Sequence, residues 1–297
     1  MSDEIVVRFF ESADAAAMRT IIEQSAQDGE LVGFNHSEVR EWIEFIPIEG
    51  KKTLVATLGS ELVGILAVGA DALIVAPDYR RKGVGSALVA ASRAHFPELE
   101  LSQWSGSEET AAFLRSVGFE LDHYLLRLVR TGTELPPPPH VPDGFDLIDY
   151  DPDFFDTYFN LVVTSFADHP TPIHLDESLL LAVHARSDFD PTMIKLIAVE
   201  GDRRLPVAFT RIGKAETDSG VVRGRVSLVG VLPEYRGRGF ARQLLRWGIR
   251  SFLEAGINEI ELEVVATNDR AMPLYESEGF RQIQAWPYWI ASERRSA

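Results

Sequence analysis

The chain has 297 residues, 45% of them hydrophobic, and a formal net charge of -16. That length can bury two ordinary cores, and the lack of any cysteine excludes disulfides, cysteine-based metal sites and a thiol nucleophile. The acidic balance excludes nucleic acid as a partner, because neutralising phosphates needs a basic face; it fits a cationic amine acceptor, or solubility alone. Met1-Ser2-Asp3-Glu4 is acidic and no apolar run reaches the roughly 18 residues of a membrane span, so a cytoplasmic protein with no membrane partner is expected.

A strand at 5–10, a helix at 14–27 and a second helix at 36–46 open the chain. Residues 53–57 and 61–68 read as a hairpin around Gly59-Ser60, and 72–75 as a further strand. That strand runs into Val75-Ala76-Pro77-Asp78-Tyr79, then Arg80-Arg81-Lys82-Gly83-Val84-Gly85. The following helix carries Val84, Ala87, Leu88 and Ala91 at helical spacing. A strand at 99–101, a helix at 108–116 and a strand at 120–128 complete the first half.

Residues 134–143 form a linker, since Pro136-Pro137-Pro138-Pro139 has no N–H for a helix or ladder. The second half repeats the order: a strand at 145–150, helices at 154–166 and 177–186, and strands at 194–199, 206–212 and 225–232. Then come Arg236-Gly237-Arg238-Gly239-Phe240-Ala241, a helix marked by Ala241, Leu244, Leu245, Ile249 and Phe252, a strand at 260–265, a helix at 269–277 and a closing strand from Phe280 toward Ile290. Two domains, 1–133 and 144–297, follow from the repeat, each with mixed-sheet α/β (α+β) layers.

The twice-used Arg-x-x-Gly-x-Gly/Ala segment is an anion cradle. Its glycines let successive N–H groups point inward, and the positive end of a helix dipole faces the same spot, so a diphosphate is expected there. The dinucleotide fingerprint lacks its third glycine and no Gly-Lys-Ser/Thr occurs. Both copies are followed by a strand, a helix and a Gly-Phe pair, Gly118-Phe119 and Gly279-Phe280.

With these motifs, and with Leu262-Glu263-Val264-Val265-Ala266-Thr267-Asn268 followed by Leu274-Tyr275, the chain resembles the GNAT superfamily of acyl-CoA-dependent N-acyltransferases in tandem duplication. The resemblance implies acetyl-CoA as acyl donor, with no metal, and two GNAT-like domains. It implies that the backbone of Val229, Gly230 and Val231 pairs with the pantetheine arm, and that Arg236, Gly237, Arg238, Gly239, Phe240 and Ala241 surround the diphosphate. Asn268 is then a contact to the coenzyme arm, or only an N-cap. Tyr275 matches the acid that protonates the leaving thiolate, with a partly buried aromatic as the alternative. Glu263 matches a base acting through water, as in ribosomal-protein N-terminal alanine acetyltransferases; alternatively, Glu261 and Glu263 form a solvated sheet face.

Counted back from Phe119, the first copy has Ser102, Ser107 and Leu114 where the second has Glu263, Asn268 and Tyr275. It is therefore expected to be catalytically degenerate, with Arg80, Arg81, Lys82, Gly83, Val84 and Gly85 either holding a coenzyme or only turning the chain. The histidines give no metal site; near His169 and His174, Pro170 and Pro172 break any aligning helix. That loop is expected to border the acceptor pocket, and Trp286, Tyr288 and Trp289 either border it or pack in a core.

Ser165-Phe166-Ala167-Asp168-His169-Pro170 and Phe189-Asp190-Pro191 are most similar to mycothiol synthase and its relatives. The pattern departs at Thr171-Pro172-Ile173, where Glu-Gln-Gly is expected, and at Arg225, where an acidic substrate contact is expected. The expected function is acetyl transfer from acetyl-CoA to a primary amine of a small-molecule acceptor by direct attack. The alternatives are a non-catalytic coenzyme-A-binding regulator or scaffold, and mycothiol synthase itself; the sequence sets no oligomeric state.

Overall fold

The computed structural model describes residues 4–27, 53–68, 72–97, 101–169, 180–181, 184–185, 189–217 and 220–291. The helix expected at 36–46, most of that at 177–186, and Thr171, Pro172, Ile173 and His174 lie outside them. The described residues divide into two compact units, those up to Tyr124 with 286–291, and Leu125–Ala285. These differ from the domain limits expected at 133 and 144 because two strands each leave one unit and finish in the other.

In the first unit, β1 (Ile5–Phe9), β2 (Thr53–Leu58), β3 (Glu61–Ala67) and β4 (Ala72–Val75) form an antiparallel sheet in chain order. Helix α1 (Ala15–Gln27) buries Met18, Ile21 and Ile22 with Val55, Ile65 and Ile74. Helices α2 (Val84–His95) and α3 (Glu108–Ser116) share a second core with Leu54, Val63 and Leu66. Of the strand expected at 99–101, residues 99 and 100 lie outside the described residues and Leu101 is not in a strand; β5 (Ser102–Trp104) follows it, and its partner is Tyr288–Ile290 of β12 (Arg281–Ala291). Trp289 is 4% exposed in this unit's core, where its Nε1 donates to Ser105 Oγ at 2.9 Å.

The second unit begins inside β6 (Phe119–Thr131), of which Leu125–Thr131 pairs with β11 (Glu259–Val265). Its strand order is β6-β11-β10-β9-β8-β7, with β7 at Phe145–Asp149, β8 at Ile194–Val199, β9 at Pro206–Glu216 and β10 at Val222–Val231. Only β10 and β11 are parallel, which makes the sheet mixed. Helix α4 (Phe155–Phe166) covers one face with Tyr158, Leu161 and Val162. On the other face α5 (Phe240–Glu254) presents Leu245, Ile249 and Phe252 to Leu126, Leu128, Ile260, Leu262 and Val264. That spacing is the stripe expected from the sequence.

Residues 134–143 have neither helix nor strand. They are nonetheless tied to α5, since Arg250 Nη1 donates to Pro136 O at 2.9 Å and His140 N to Gln243 Oε1 at 2.9 Å. Among the described residues no helix is long and apolar enough to cross a membrane, and no group of three or more potential metal ligands occurs.

Candidate active site

A wedge opens between two strands that begin as partners. The parallel ladder of β10 and β11 runs from Gly224↔Ile260 to Val226↔Leu262 and ends there. A bulge between Val226 and Leu228 turns β10 at that point, and Leu228–Val231 continues paired only to β9, while Glu263–Val265 continues paired to β6. Backbone groups of Val229, Gly230 and Val231 thus border the opening, as an extended ligand pairing like an added strand requires. Gly230 is also needed for packing: a Cβ there would lie 2.2 Å from Phe209 Cε1 and 2.9 Å from Ser165 Cβ.

The wedge leads into the cradle. Gly237 and Gly239 have φ of +77° and +83°, a left-handed conformation that favours glycine. Gly239 is the N-cap of α5 and supplies no side-chain cap, so the N–H groups of the first turn, from Phe240 and Ala241 onward, face outward with the positive end of the dipole. The Arg236 side chain is engaged elsewhere. Its Nε donates to Val231 O at 3.1 Å, Nη2 to Ser165 O at 3.0 Å, and Nη1 and Nη2 to Asp168 at 2.5 and 2.8 Å. Arg270 reaches the same Asp168 at 3.2 Å. These bonds, Arg236 foremost, hold the Asp168 carboxyl well below the usual carboxylate range. Arg238 lies over the rings of Tyr235 and Phe145 at 5.2 and 5.9 Å.

Glu263 is on β11 immediately beyond the last laddered residue, Leu262, and is exposed. Arg127 Nη2 donates to its Oε1 at 2.6 Å. Tyr275 lies in the short helix α6 (Met272–Ser277) and packs against the core beneath α5. Although the residue keeps part of its surface exposed, burial pushes its phenol up to about 12. Glu263 points away from the face of β11 that carries Leu262 and Val264, whereas Tyr275 packs on that face. The two groups therefore belong to opposite faces of the sheet, and the wedge is the gap between strands that connects those faces. Asn268 serves the turn before α6: its Oδ1 accepts from Ala271 N at 3.2 Å.

Sequence reasoning missed the charged belt beside Glu263. Glu261 is 2% exposed rather than solvated; Arg225 Nε donates to its Oε1 at 2.8 Å, and Arg223 reaches both Glu261 and Glu259. The signal was present as Arg223 and Arg225 on one strand and Glu259, Glu261 and Glu263 on the next, each at a spacing of two. Trp286 and Trp289 are core residues of the first unit and not part of the wedge-bearing unit.

The first unit keeps the cradle geometry. Arg81, with φ +61°, stands where the second copy has Gly237, and Gly83, with φ +87°, is the N-cap of α2. Arg80 Nε donates to Val75 O at 3.2 Å, as Arg236 does to Val231 O. Lys82 lies over the Tyr79 ring at 4.8 Å. Val84 is buried, and Phe113 lies so close over Gly85 that a Cβ there would be 2.9 Å from Phe113 Cζ. The chemical positions differ: Leu114 is fully buried, Ser107 Oγ caps α3 by accepting from Thr110 N, and Ser102 is in β5. Leu73 lies two residues before Val75, as Val229 lies two before Val231, and its N–H donates to the buried side chain of Gln103 at 2.8 Å. The β4 edge at Leu73 is thus met by a side chain of the same unit.

A mixed sheet with splayed parallel strands, running into a glycine cradle at a helix start, defines an acetyltransferase of the GNAT type, and the chain belongs to that family in tandem form. The model described as Acetyltransferase (GNAT) family matches residues 157–280, and that described as Acetyltransferase (GNAT) domain matches 26–121. Among curated relatives, a mycothiol acetyltransferase of Kocuria rhizophila is 30% identical over 78% of this chain and 82% of its own length. One from a Parafrankia species is 29% identical over 94% and 95%. Two solved structures share the fold: a GCN5-related N-acetyltransferase from Sphaerobacter thermophilus (TM-score 0.64, 20% identity, 96% of this chain and 95% of that one) and a tandem GNAT protein from the clavulanic acid biosynthesis pathway (TM-score 0.64, 16% identity, 97% and 98%).

Proposed function

We propose that the second unit transfers the acetyl group of acetyl-CoA to a primary amine of a small-molecule acceptor by direct attack. The single observation that carries this reading is the wedge that ends at Val226↔Leu262 and opens into the cradle at Gly237 and Gly239. The cradle N–H groups hold the diphosphate, and the β10 edge at Val229, Gly230 and Val231 holds the pantetheine arm and meets the developing oxyanion. The amine nitrogen attacks the thioester carbonyl, a C–N bond forms and the C–S bond breaks. Glu263, through water, accepts the ammonium proton, and Tyr275 donates its proton to the leaving thiolate. Arg236 acts as a strut beneath the cradle, where its bonds to Val231, Ser165 and Asp168 fix the loop.

The first unit acts without chemistry of its own, a reading supported by Leu114 and by the Gln103 side chain at the Leu73 edge. The experiment is an acceptor screen with acetyl-CoA that follows free thiol, with the amine precursor of mycothiol beside unrelated primary amines. Turnover is expected to vanish in Gly239→Asp, which puts a carboxylate in the cradle. Coenzyme binding with no turnover across the whole panel would favour the regulator or scaffold instead.

A further inference from the structure

The carboxylates of β11 are not equivalent. Glu259, Glu261 and Glu263 alternate onto one face of the sheet, and the guanidinium groups that meet them come from the strands on either side. Glu261 has both oxygens engaged. Arg225 Nε donates to Oε1 at 2.8 Å, Arg225 Nη2 donates to the same oxygen, and Arg223 Nη1 lies 3.5 Å from Oε2. With its side chain 3% exposed, Glu261 is closed to a substrate. Arg223 also donates to Glu259 Oε2, at 2.8 Å. Glu263 is placed differently, because the ladder with β10 ends at Leu262 and leaves no β10 residue across from it.

Its cation comes from the opposite flank. Arg127 of β6 stands directly across from Glu263 in the antiparallel register, on the side of β11 away from the wedge. Arg127 Nε and Nη2 donate to the same oxygen, Oε1, at 3.2 and 2.6 Å. A fork in which each nitrogen takes its own oxygen would engage the whole carboxylate. Here both bonds close on Oε1, and Oε2 has no hydrogen-bond partner among the described residues. Arg127 is 9% exposed, so its side chain is packed in place, whereas the Glu263 side chain is 35% exposed. A glutamate at an open strand edge samples several rotamers, and two bonds from a packed guanidinium restrict it.

We propose that Arg127 is a positioning residue for acetyl transfer: it holds Oε1 of Glu263 so that Oε2 is fixed as the oxygen that receives, through water, the proton of the acceptor ammonium. This rests on the acetyl-transfer reading of the wedge, with Glu263 as its base. Arg127 touches neither substrate nor coenzyme in this role, and its whole effect passes through Glu263.

The test is a double-mutant cycle on the full chain, with acetyl-CoA and the amine precursor of mycothiol, or the fastest primary amine of the acceptor screen where that precursor is not acetylated. Arg127→Met, which removes every donor and keeps an unbranched stem, should lower kcat about tenfold to 100-fold while the KM for acetyl-CoA stays within about twofold of wild type. In a Glu263→Gln background the same substitution should change kcat by less than about twofold, because no carboxylate is left to position. Arg127→Lys keeps one donor for Oε1 and should recover part of the loss; it carries the same cycle if Arg127→Met fails to fold. An equal loss in both backgrounds means that Arg127 only supports the sheet, and overturns the proposal. Wild-type kcat in the Arg127 variants, beside a clear loss in Glu263→Gln, overturns the positioning role and leaves acetyl transfer standing. Wild-type kcat in Glu263→Gln, or no acetylation of any amine, removes the reading of the wedge and the proposal with it.

Discussion

Tyr275→Phe removes one oxygen and keeps the ring that packs 6.2 Å from Phe280. Because burial holds the phenol at about 12, only about one molecule in ten thousand lacks the proton at pH 8. The leaving thiol has a pKa of about 8.5 if it behaves as an ordinary thiol, so proton transfer from Tyr275 is matched worse than from an acid poised near neutrality. The benefit should therefore fall at the lower end of general acid catalysis, a kcat loss of roughly 100-fold in Tyr275→Phe, with acetyl-CoA affinity nearly unchanged. The acid must be protonated to act, so its contribution is present below about 12 and lost only as pH rises through that value. No alkaline fall in wild-type kcat below about pH 10 should come from Tyr275. Initial rates of thiol release across pH, with calorimetric coenzyme titration of the same preparations, give both quantities. An unchanged kcat, or an alkaline limb near neutral pH that disappears in Tyr275→Phe, would refute the assignment.

Gly230→Ala places a methyl 2.2 Å from Phe209 Cε1 and should cost about 1–3 kcal/mol, read as a drop in Tm of several degrees. Gln103→Leu leaves the Leu73 N–H without its acceptor, which should cost about 1–3 kcal/mol while coenzyme affinity of the second unit stays at the wild-type value in calorimetry. The depressed Asp168 pKa makes its contribution present above about pH 4 and lost as pH falls below that. Because this carboxylate is half-exposed, Asp168→Asn should lower stability at pH 7 by only about 1 kcal/mol, and the gap between the melting curves of the two proteins should narrow progressively as pH falls below about 4 toward the depressed native pKa.

The cradles were legible because their requirements are local: residues that tolerate positive φ, then a helix start, within six positions. The amphipathic stripe of α5 was legible for the same reason. Arg127 was not, because its partner Glu263 lies 136 residues away and the two meet only once β6 pairs with β11. The alternating charges of β10 and β11 acquire meaning only with the parallel register Arg225↔Glu261, which no local pattern supplies. Trp289, near the end of the chain, bonds to Ser105, far earlier in the sequence, so its place in the first unit was equally hidden.

The exchange of β6 and β12 between the units has a consequence for biosynthesis. The first unit's earlier segment ends at Tyr124, and its remaining described piece, 286–291, emerges about 160 residues later. At ordinary elongation rates that is a delay of roughly 10–30 s, during which β5 lacks Tyr288–Ile290 and the core lacks Trp289. The nascent first half thus exposes apolar surface and an open strand edge throughout that interval, a state that invites chaperones and aggregation. A premature stop after Ala285 would leave the wedge, the cradle and Tyr275 in the product, and the damage would fall on the half of the protein translated first.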